Sequence, residues 1–151
     1  MSDQKAQFID RTGWTAPEPK LWEPAIVKKA EFDAEIARLS ELPPPNNGRR
    51  QSWVVHPDAA SLGAGLGMAP GIRVTLEVLN PGEQTRPIRH NSTQVNFCIQ
   101  GTGHSVVAGK KIAFEQYDLF NFPSMQTYWH VNDTDAMQVR LTYSNAALLE
   151  K

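Results

Sequence analysis

The sequence predicts an all-β domain, an antiparallel sandwich or barrel, that is preceded by an arm and one short helix. From residue 72 onward, β-rich runs alternate with Gly, Pro or Asn, which is typical of short antiparallel strands joined by turns. Before these runs, one segment has clear helical periodicity. The length of 151 residues and the 40% hydrophobic content suit one domain with one core.

The arm covers the first 25 residues, where prolines interrupt any helix and apolar side chains need cover. Because exposed apolar surface usually marks a contact, we expect the arm to lie across its own domain or a second subunit. A homo-oligomer, most simply a homodimer, is therefore predicted. The residues concerned are Phe8, Trp14, Pro17, Pro19, Leu21, Trp22 and Pro24.

An amphipathic helix is predicted over residues 26–42, because Phe32, Ile36 and Leu39 fall on one face at i, i+4 and i+7. The three prolines that follow end it. The resulting domain boundaries are 1–50 for the arm and helix and 51–151 for a single β domain.

The β domain is expected to begin with a strand at Gln51–His56, followed by a Gly- and Ala-rich loop over 57–71. Frequent turn residues then separate the remaining runs. The six strands predicted after the loop are Ile72–Leu79, Gln94–Gln100, His104–Ala108, Lys111–Phe114, Leu119–Phe122 and Met137–Tyr143.

Charge and composition narrow the classes of function. A formal net charge of −1 argues against nucleic acid or an anionic membrane as the main partner. The single cysteine, Cys98, excludes an intrachain disulfide framework. No apolar run approaches the roughly 18 residues of a membrane span, and the N-terminus lacks the apolar region of a signal peptide. We therefore expect a cytoplasmic protein whose partner is a small molecule.

Two segments carry the residues of chemical interest. The first spans Pro81–Gly101 and contains Ile88-Arg-His90; the second spans Asp118–Asn132 and contains Pro123 and His130. Together they resemble the two motifs of the cupin superfamily. There Pro-Gly, His-x-His, Glu and Gly form the first motif, and Gly-Asp, Pro, His and Asn form the second. Among cupins the sequence is most similar to the gentisate/salicylate 1,2-dioxygenase group. The resemblance implies a double-stranded β-helix, the jelly-roll barrel.

The resemblance also implies a metal centre, with Fe(II) or another divalent ion, that would be atypical or lost in this chain. Ile88 and Tyr128 stand where the family has metal-binding His residues, and Gln94 replaces an optional Glu ligand. His90 keeps one ligand position, and His130 matches a further His of the family. The metal candidates are therefore His90 and His130, which could form a rearranged site with Tyr128, as a phenolate, and Gln94. The alternative is that no metal binds.

The same resemblance places one phase of each strand inside the barrel. If Gln94 faces inward, so does Asn96, because side chains alternate along a strand. Arg73, Thr75 and Glu77 form the polar phase of another strand, and this phase matches the family's substrate-lining one. Arg73 is then a candidate for binding an anion and Glu77 a candidate acid or base. The alternative is that this phase faces solvent.

Other basic residues could likewise either contact a ligand or face solvent. Arg49 and Arg50 precede the first strand, near a basic pair that contacts carboxylates in the family, although a solvated pair is the more common explanation for such residues. Arg140 alternates with Gln138 and Thr142 on the last strand, where the family offers no clear match.

Three functions are compatible with these residues. The first is a small-molecule enzyme of the cupin type, related to ring-cleaving dioxygenases that act on aromatic carboxylates. The second is a metal-free isomerase, lyase or cyclase, in which His90, His130, Tyr128 and Glu77 transfer protons. The third is a non-catalytic ligand-binding cupin. The first is favoured slightly, and in each case the site is expected inside the barrel around His90 and His130.

Overall fold

The structure, a computed structural model, describes residues 6–16, 21–59 and 67–146. The described residues include the helix α1 (Lys29–Glu41). The eight strands are β1 (Arg50–Val54), β2 (Arg73–Leu79), β3 (Gln94–Gln100), β4 (Gly103–Val107), β5 (Lys110–Phe114), β6 (Leu119–Phe122), β7 (Tyr128–Val131) and β8 (Gln138–Ser144). The strand predictions agree with these bounds to within two residues, except that β7 was missed. Pro17, Pro19 and residues 60–66 of the predicted 57–71 loop lie outside the described residues.

The strands form two antiparallel sheets. The larger has the order β1-β2-β8-β3-β6 and the smaller the order β5-β4-β7. Isolated bridges from Gln84 to Val131 and from Ile88 to Tyr128 place the first motif along the free side of β7. Short antiparallel strands in two facing sheets, with the chain passing between the sheets, define the predicted jelly roll.

Apolar packing holds α1 on the outer face of the larger sheet. Leu39 of the helix packs with Leu76, Val78 and Val139, all of which are buried. Because side chains alternate along a strand, the residues between them point to the other side of the sheet. That other side is the barrel interior, and it is polar.

The interior also contains an aromatic cluster that fixes β7 against β6. The rings of Phe122 and Tyr128 stack with centroids 4.3 Å apart, and Val107 is buried beside them. Tyr128 and His130 alternate on β7 with both side chains buried. The second motif thus delivers these two residues into the barrel.

The N-terminal helix is shorter than predicted, and part of the arm is anchored. The helix begins at Lys29, with Glu31 accepting a hydrogen bond from the backbone N–H of Lys28. Trp22 packs against the ring of His56 at 4.8 Å, whereas Phe8 is fully exposed. The predicted homo-oligomer and the domain boundary at residue 50 remain predictions. The helix among the described residues is too short and too polar to cross a membrane.

Candidate functional site

A cavity of about 230 Å³ opens into the barrel between the two sheets. Its volume is somewhat below the usual 300–1,000 Å³ of drug-sized ligand pockets, so a small ligand fits best. Its wall contains both polar and aromatic side chains. The lining residues include Arg49, Gln51, Trp53, Arg73, Thr75, Glu77, Ile88, His90, Gln94, Tyr128 and Thr142.

His90 and Tyr128 form a hydrogen-bonded pair on the cavity wall. Nε2 of His90 lies 2.7 Å from the Tyr128 hydroxyl and 3.2 Å from the side-chain nitrogen of Gln94. Nδ1 of His90 lies 3.1 Å from the carbonyl oxygen of Ser92. Since that carbonyl can only accept, Nδ1 carries the proton and Nε2 accepts from Tyr128. Burial, followed by the charge of Glu77, raises the pKa of Tyr128 to about 12, so its hydroxyl stays protonated at neutral pH.

Beyond the cavity wall, the buried guanidinium of Arg140 occupies the barrel interior. Its Nη1 donates to Oε2 of Glu77 at 2.7 Å and to Oδ1 of Asn96 at 3.1 Å, and it lies 3.0 Å from Nε2 of His130. Its Nε donates to the side-chain oxygen of Gln138 at 2.9 Å. Arg140 is 1% exposed, so these groups replace the water that a guanidinium would otherwise bind.

Glu77 lies between Arg140 and Arg49. Arg49 Nη1 is 3.7 Å from Oε1 of Glu77, which is too long for a hydrogen bond, and its guanidinium lies 5.7 Å from the ring centre of Tyr128. Burial alone would raise the pKa of Glu77. The charges of Arg140 and Arg49, with a hydrogen bond from Thr142, outweigh burial and lower this pKa. Glu77 is therefore a carboxylate at neutral pH.

His130 is fully buried and supports Arg140 rather than the cavity. Its Nδ1 lies 2.7 Å from the hydroxyl of Ser105, and its backbone N–H donates to Thr85. Burial, and then the charges of Arg140 and Arg49, hold the pKa of His130 well below 6.5. The ring is therefore neutral, with Nε2 accepting from Arg140 and Nδ1–H donating to Ser105.

The predicted metal pair does not fit a divalent ion. Nε2 of His90 accepts from Tyr128 and Nε2 of His130 from Arg140, so the two rings serve separate hydrogen-bond networks. Tyr128 is a neutral phenol, and Ile88 has no donor atom. Within the described parts of the chain, no group of three or more His, Cys, Asp or Glu residues is arranged to hold a metal ion.

Most of the residues predicted to contact a ligand line the cavity, but three do not. Asn96 is fully buried, and its oxygen accepts from Arg140 and Thr142. His130 is separated from the cavity by its own network. The structure places both side chains in positions that support Arg140, and their direct catalytic or substrate contact stays a prediction.

Arg50 is the third predicted residue that does not line the cavity. It forms a two-pronged ion pair with Glu83 at 2.9–3.0 Å and donates to the carbonyl oxygens of Leu39 and Leu42 at the end of α1. Neighbouring side chains on a strand point to opposite faces, so only one of the two arginines can reach the cavity. That residue is Arg49.

The sequence interpretation missed several residues of the site. The most prominent is Trp53. The guanidinium carbon of Arg73 lies 4.0 Å from the centre of its ring, which is a cation–π distance. The alternation of Gln51 and Trp53 along β1 was the signal that could have identified them. Ser105 gave no sequence signal, because it meets His130 through pairing of β4 with β7.

The comparisons with known proteins agree with this architecture. Residues 75–144 match the family model described as a cupin domain. The chain thus contains a cupin domain, as its two motifs predicted. In sequence it is related to a 5-nitrosalicylic acid 1,2-dioxygenase, and in fold it is similar to a salicylate 1,2-dioxygenase.

Specific relatives show the extent of this likeness. The 5-nitrosalicylic acid 1,2-dioxygenase of a Bradyrhizobium species is 30% identical over 120 residues, which are 78% of this chain and 55% of that protein. A variant of the salicylate 1,2-dioxygenase from Pseudoaminobacter salicylatoxidans superposes with a TM-score of 0.78 at 22% identity, covering 93% of this chain and 42% of that one.

A second variant of that enzyme, in complex with gentisate, superposes with a TM-score of 0.68 at 19% identity, covering 81% of this chain and 33% of that one. At these identities the solved structures share the fold. The chain spans about half the length of the curated relative that it matches.

Proposed function

We propose that this cupin binds a small aromatic carboxylate in the cavity and removes a proton from it through Tyr128 and His90. The charge of the site carries the first part of the proposal. Arg49 and Arg140 bring two positive charges against the single negative charge of Glu77, and all three side chains are at most 9% exposed. A buried surplus of one positive charge favours an anionic ligand.

The walls of the cavity support an aromatic ligand. Trp53 and Tyr128 present rings to it, and aromatic side chains pack well against other rings. Among the relatives, the 5-nitrosalicylic acid and salicylate dioxygenases are named for aromatic carboxylates. Arg49 is the residue proposed to bind the carboxylate, because it lines the cavity and its contact with Glu77 is long. Its Nη2 also donates to the carbonyl oxygen of Arg86 at 3.3 Å.

The hydrogen-bonded His90–Tyr128 pair supports the proton transfer. A proton that leaves the bound ligand can pass to the Tyr128 oxygen while the Tyr128 proton passes to Nε2 of His90, across 2.7 Å. That distance is within reach for a general base. The reaction class that this arrangement favours is an isomerisation, elimination or cyclisation.

Binding is tested by calorimetric titration of the protein with salicylate, gentisate and catechol, the last of which lacks a carboxylate. We expect both carboxylates to bind more tightly than catechol. Arg49→Gln should weaken them about tenfold or more, since a hydrogen bond to a charged group contributes about 1.5–3 kcal/mol. The matched control is Arg38→Gln on the exposed face of α1. Equal affinity for catechol, or no effect of Arg49→Gln, would exclude the proposed ligand class.

Catalysis is tested separately, by screening small aromatic carboxylates for products with mass spectrometry. For a carboxylate that turns over, His90→Ala should abolish turnover and leave much of the binding affinity. If the screen yields no product and His90→Ala changes affinity alone, the cavity is a binding site without a reaction. Oxygen uptake with gentisate or salicylate, with and without added Fe(II), tests the dioxygenase alternative directly; we expect none.

A further inference from the structure

We infer that the guanidinium of Arg140 is the resident cation of this barrel and excludes a divalent metal ion from it. Nη1 of Arg140 is surrounded by Oε2 of Glu77 at 2.7 Å, Nε2 of His130 at 3.0 Å and Oδ1 of Asn96 at 3.1 Å. One imidazole nitrogen and two oxygens converge on a single positive centre. This inference is independent of the proposed function, which concerns the ligand of the cavity.

The groups around Arg140 also have partners or charged neighbours of their own. The other nitrogen of His130 is engaged with Ser105 at 2.7 Å, and the other oxygen of Glu77 faces Arg49 at 3.7 Å. Thr142 lies within 3.0 Å of the same Glu77 oxygen that Arg140 contacts. A metal ion would therefore have to displace Arg140 from Glu77 and His130 before it could use either of them.

Displacement is opposed by charge and by packing. Arg140 is 1% exposed, and Gln138 beside it is fully buried. A guanidinium cannot lose its proton in a protein, so it cannot yield its place by becoming neutral. A dication placed a few ångströms away would be repelled strongly in so buried a site.

The first test is metal binding by the protein as purified. After dialysis against chelator, the protein is equilibrated with Fe(II), Mn(II) or Zn(II), and bound metal is measured by inductively coupled plasma mass spectrometry. We expect well below one equivalent for each metal and a melting temperature that neither metal nor chelator changes. Saturable binding of about one equivalent at micromolar metal would overturn the inference.

The second test restores the vacant ligand positions. The double variant Ile88→His/Tyr128→His adds the two missing imidazoles beside His90. Mn(II) affinity is measured by electron paramagnetic resonance in this variant and in versions that also carry Arg140→Met or, as a matched control, Arg38→Met. With Arg140 retained, we expect affinity about 100-fold or more weaker than with Arg140→Met, and no effect of Arg38→Met.

Equal Mn(II) affinity with and without Arg140 would overturn the inference, because it would show that the guanidinium does not compete with a metal. The chelator test on the unmodified chain stands even if the multiple variants do not fold. Failure here is distinct from failure of the proposed function. A chain that binds both metal and salicylate refutes the inference alone, and one that binds neither refutes only the ligand proposal.

Discussion

Replacing Glu77 with Gln should destabilise the protein by about 3–5 kcal/mol, the usual loss when one partner of a buried ion pair is removed. The substitution keeps the shape of the side chain but removes the negative charge that lies 2.7 Å from Arg140 and 3.7 Å from Arg49. Two guanidinium groups then remain in the interior without a counter-ion. Because total stabilities are typically about 5–15 kcal/mol, the effect should dominate any unfolding curve.

Urea unfolding followed by circular dichroism measures this loss, and the melting temperature should fall by roughly 6–20 °C for a domain of this size. The control is Asp33→Asn, which removes an exposed ion pair with Lys29 and should leave stability unchanged. Adding Arg140→Met to Glu77→Gln should cost less than the sum of the two single changes, because the pair is coupled. A Glu77→Gln loss as small as that of the control would refute the account of the interior network.

Three further predictions concern titration and local support. His130→Gln should flatten the dependence of stability on pH below about 6.5. Because the pKa of His130 is lowered in the folded state, its contribution to the free energy of unfolding is complete above the unfolded-state pKa and is lost as pH falls. An unchanged slope in urea unfolding at several pH values would contradict a neutral, buried His130. Tyr128→Phe should remove a loss of stability between pH 10 and about 12, because the folded-state pKa of Tyr128 is raised to about 12. Phenolate absorbance measures that ionisation, and a Tyr128 that ionises near pH 10 would contradict its burial. Glu83→Gln should lower stability at neutral pH, since it breaks the ion pair with Arg50, yet leave salicylate affinity unchanged, and weakened binding would place Arg50 back at the cavity.

The fold was predictable because its signals are local. Turn residues separate the strands, and each motif keeps its order and spacing, so the jelly roll followed from a resemblance carried by about half of the chain. The alternation of Arg73, Thr75 and Glu77 identified the polar face of β2 but left open whether that face lies toward the barrel or toward solvent. Strand β7 was missed because its sequence, Tyr-Trp-His-Val, was interpreted as part of a metal motif rather than as a strand.

The identity of the interior cation was not predictable from the sequence. Arg140 was noticed only as one member of an alternating strand, equally compatible with solvent exposure. Its position depends on the register of β8, which pairs Arg140 with Glu77 on one side and with Cys98 on the other. Register is a tertiary property, fixed by burial of the opposite face. The same limit applies to His130, whose partner Ser105 faces it only through the register of β4 with β7.

The interior cation and the cavity are linked through Glu77. Arg140 contacts one oxygen of this carboxylate at 2.7 Å, whereas Arg49 approaches the other only to 3.7 Å. The negative charge of Glu77 is thus balanced mainly from the interior, which leaves the charge of Arg49 available to an anion in the cavity. Without Arg140, Arg49 would have to balance Glu77 alone, and no positive charge would be left to balance a bound carboxylate.

Arg140→Met should therefore weaken salicylate binding about tenfold or more, although Arg140 does not line the cavity. Arg140→Lys keeps the positive charge and should retain most of the affinity, even though an ammonium cannot reproduce the planar contacts of a guanidinium. Calorimetric titration of the two folded variants compares them directly. If both bind salicylate equally well, charge balance at Glu77 does not control the cavity, and Arg140 serves the fold alone.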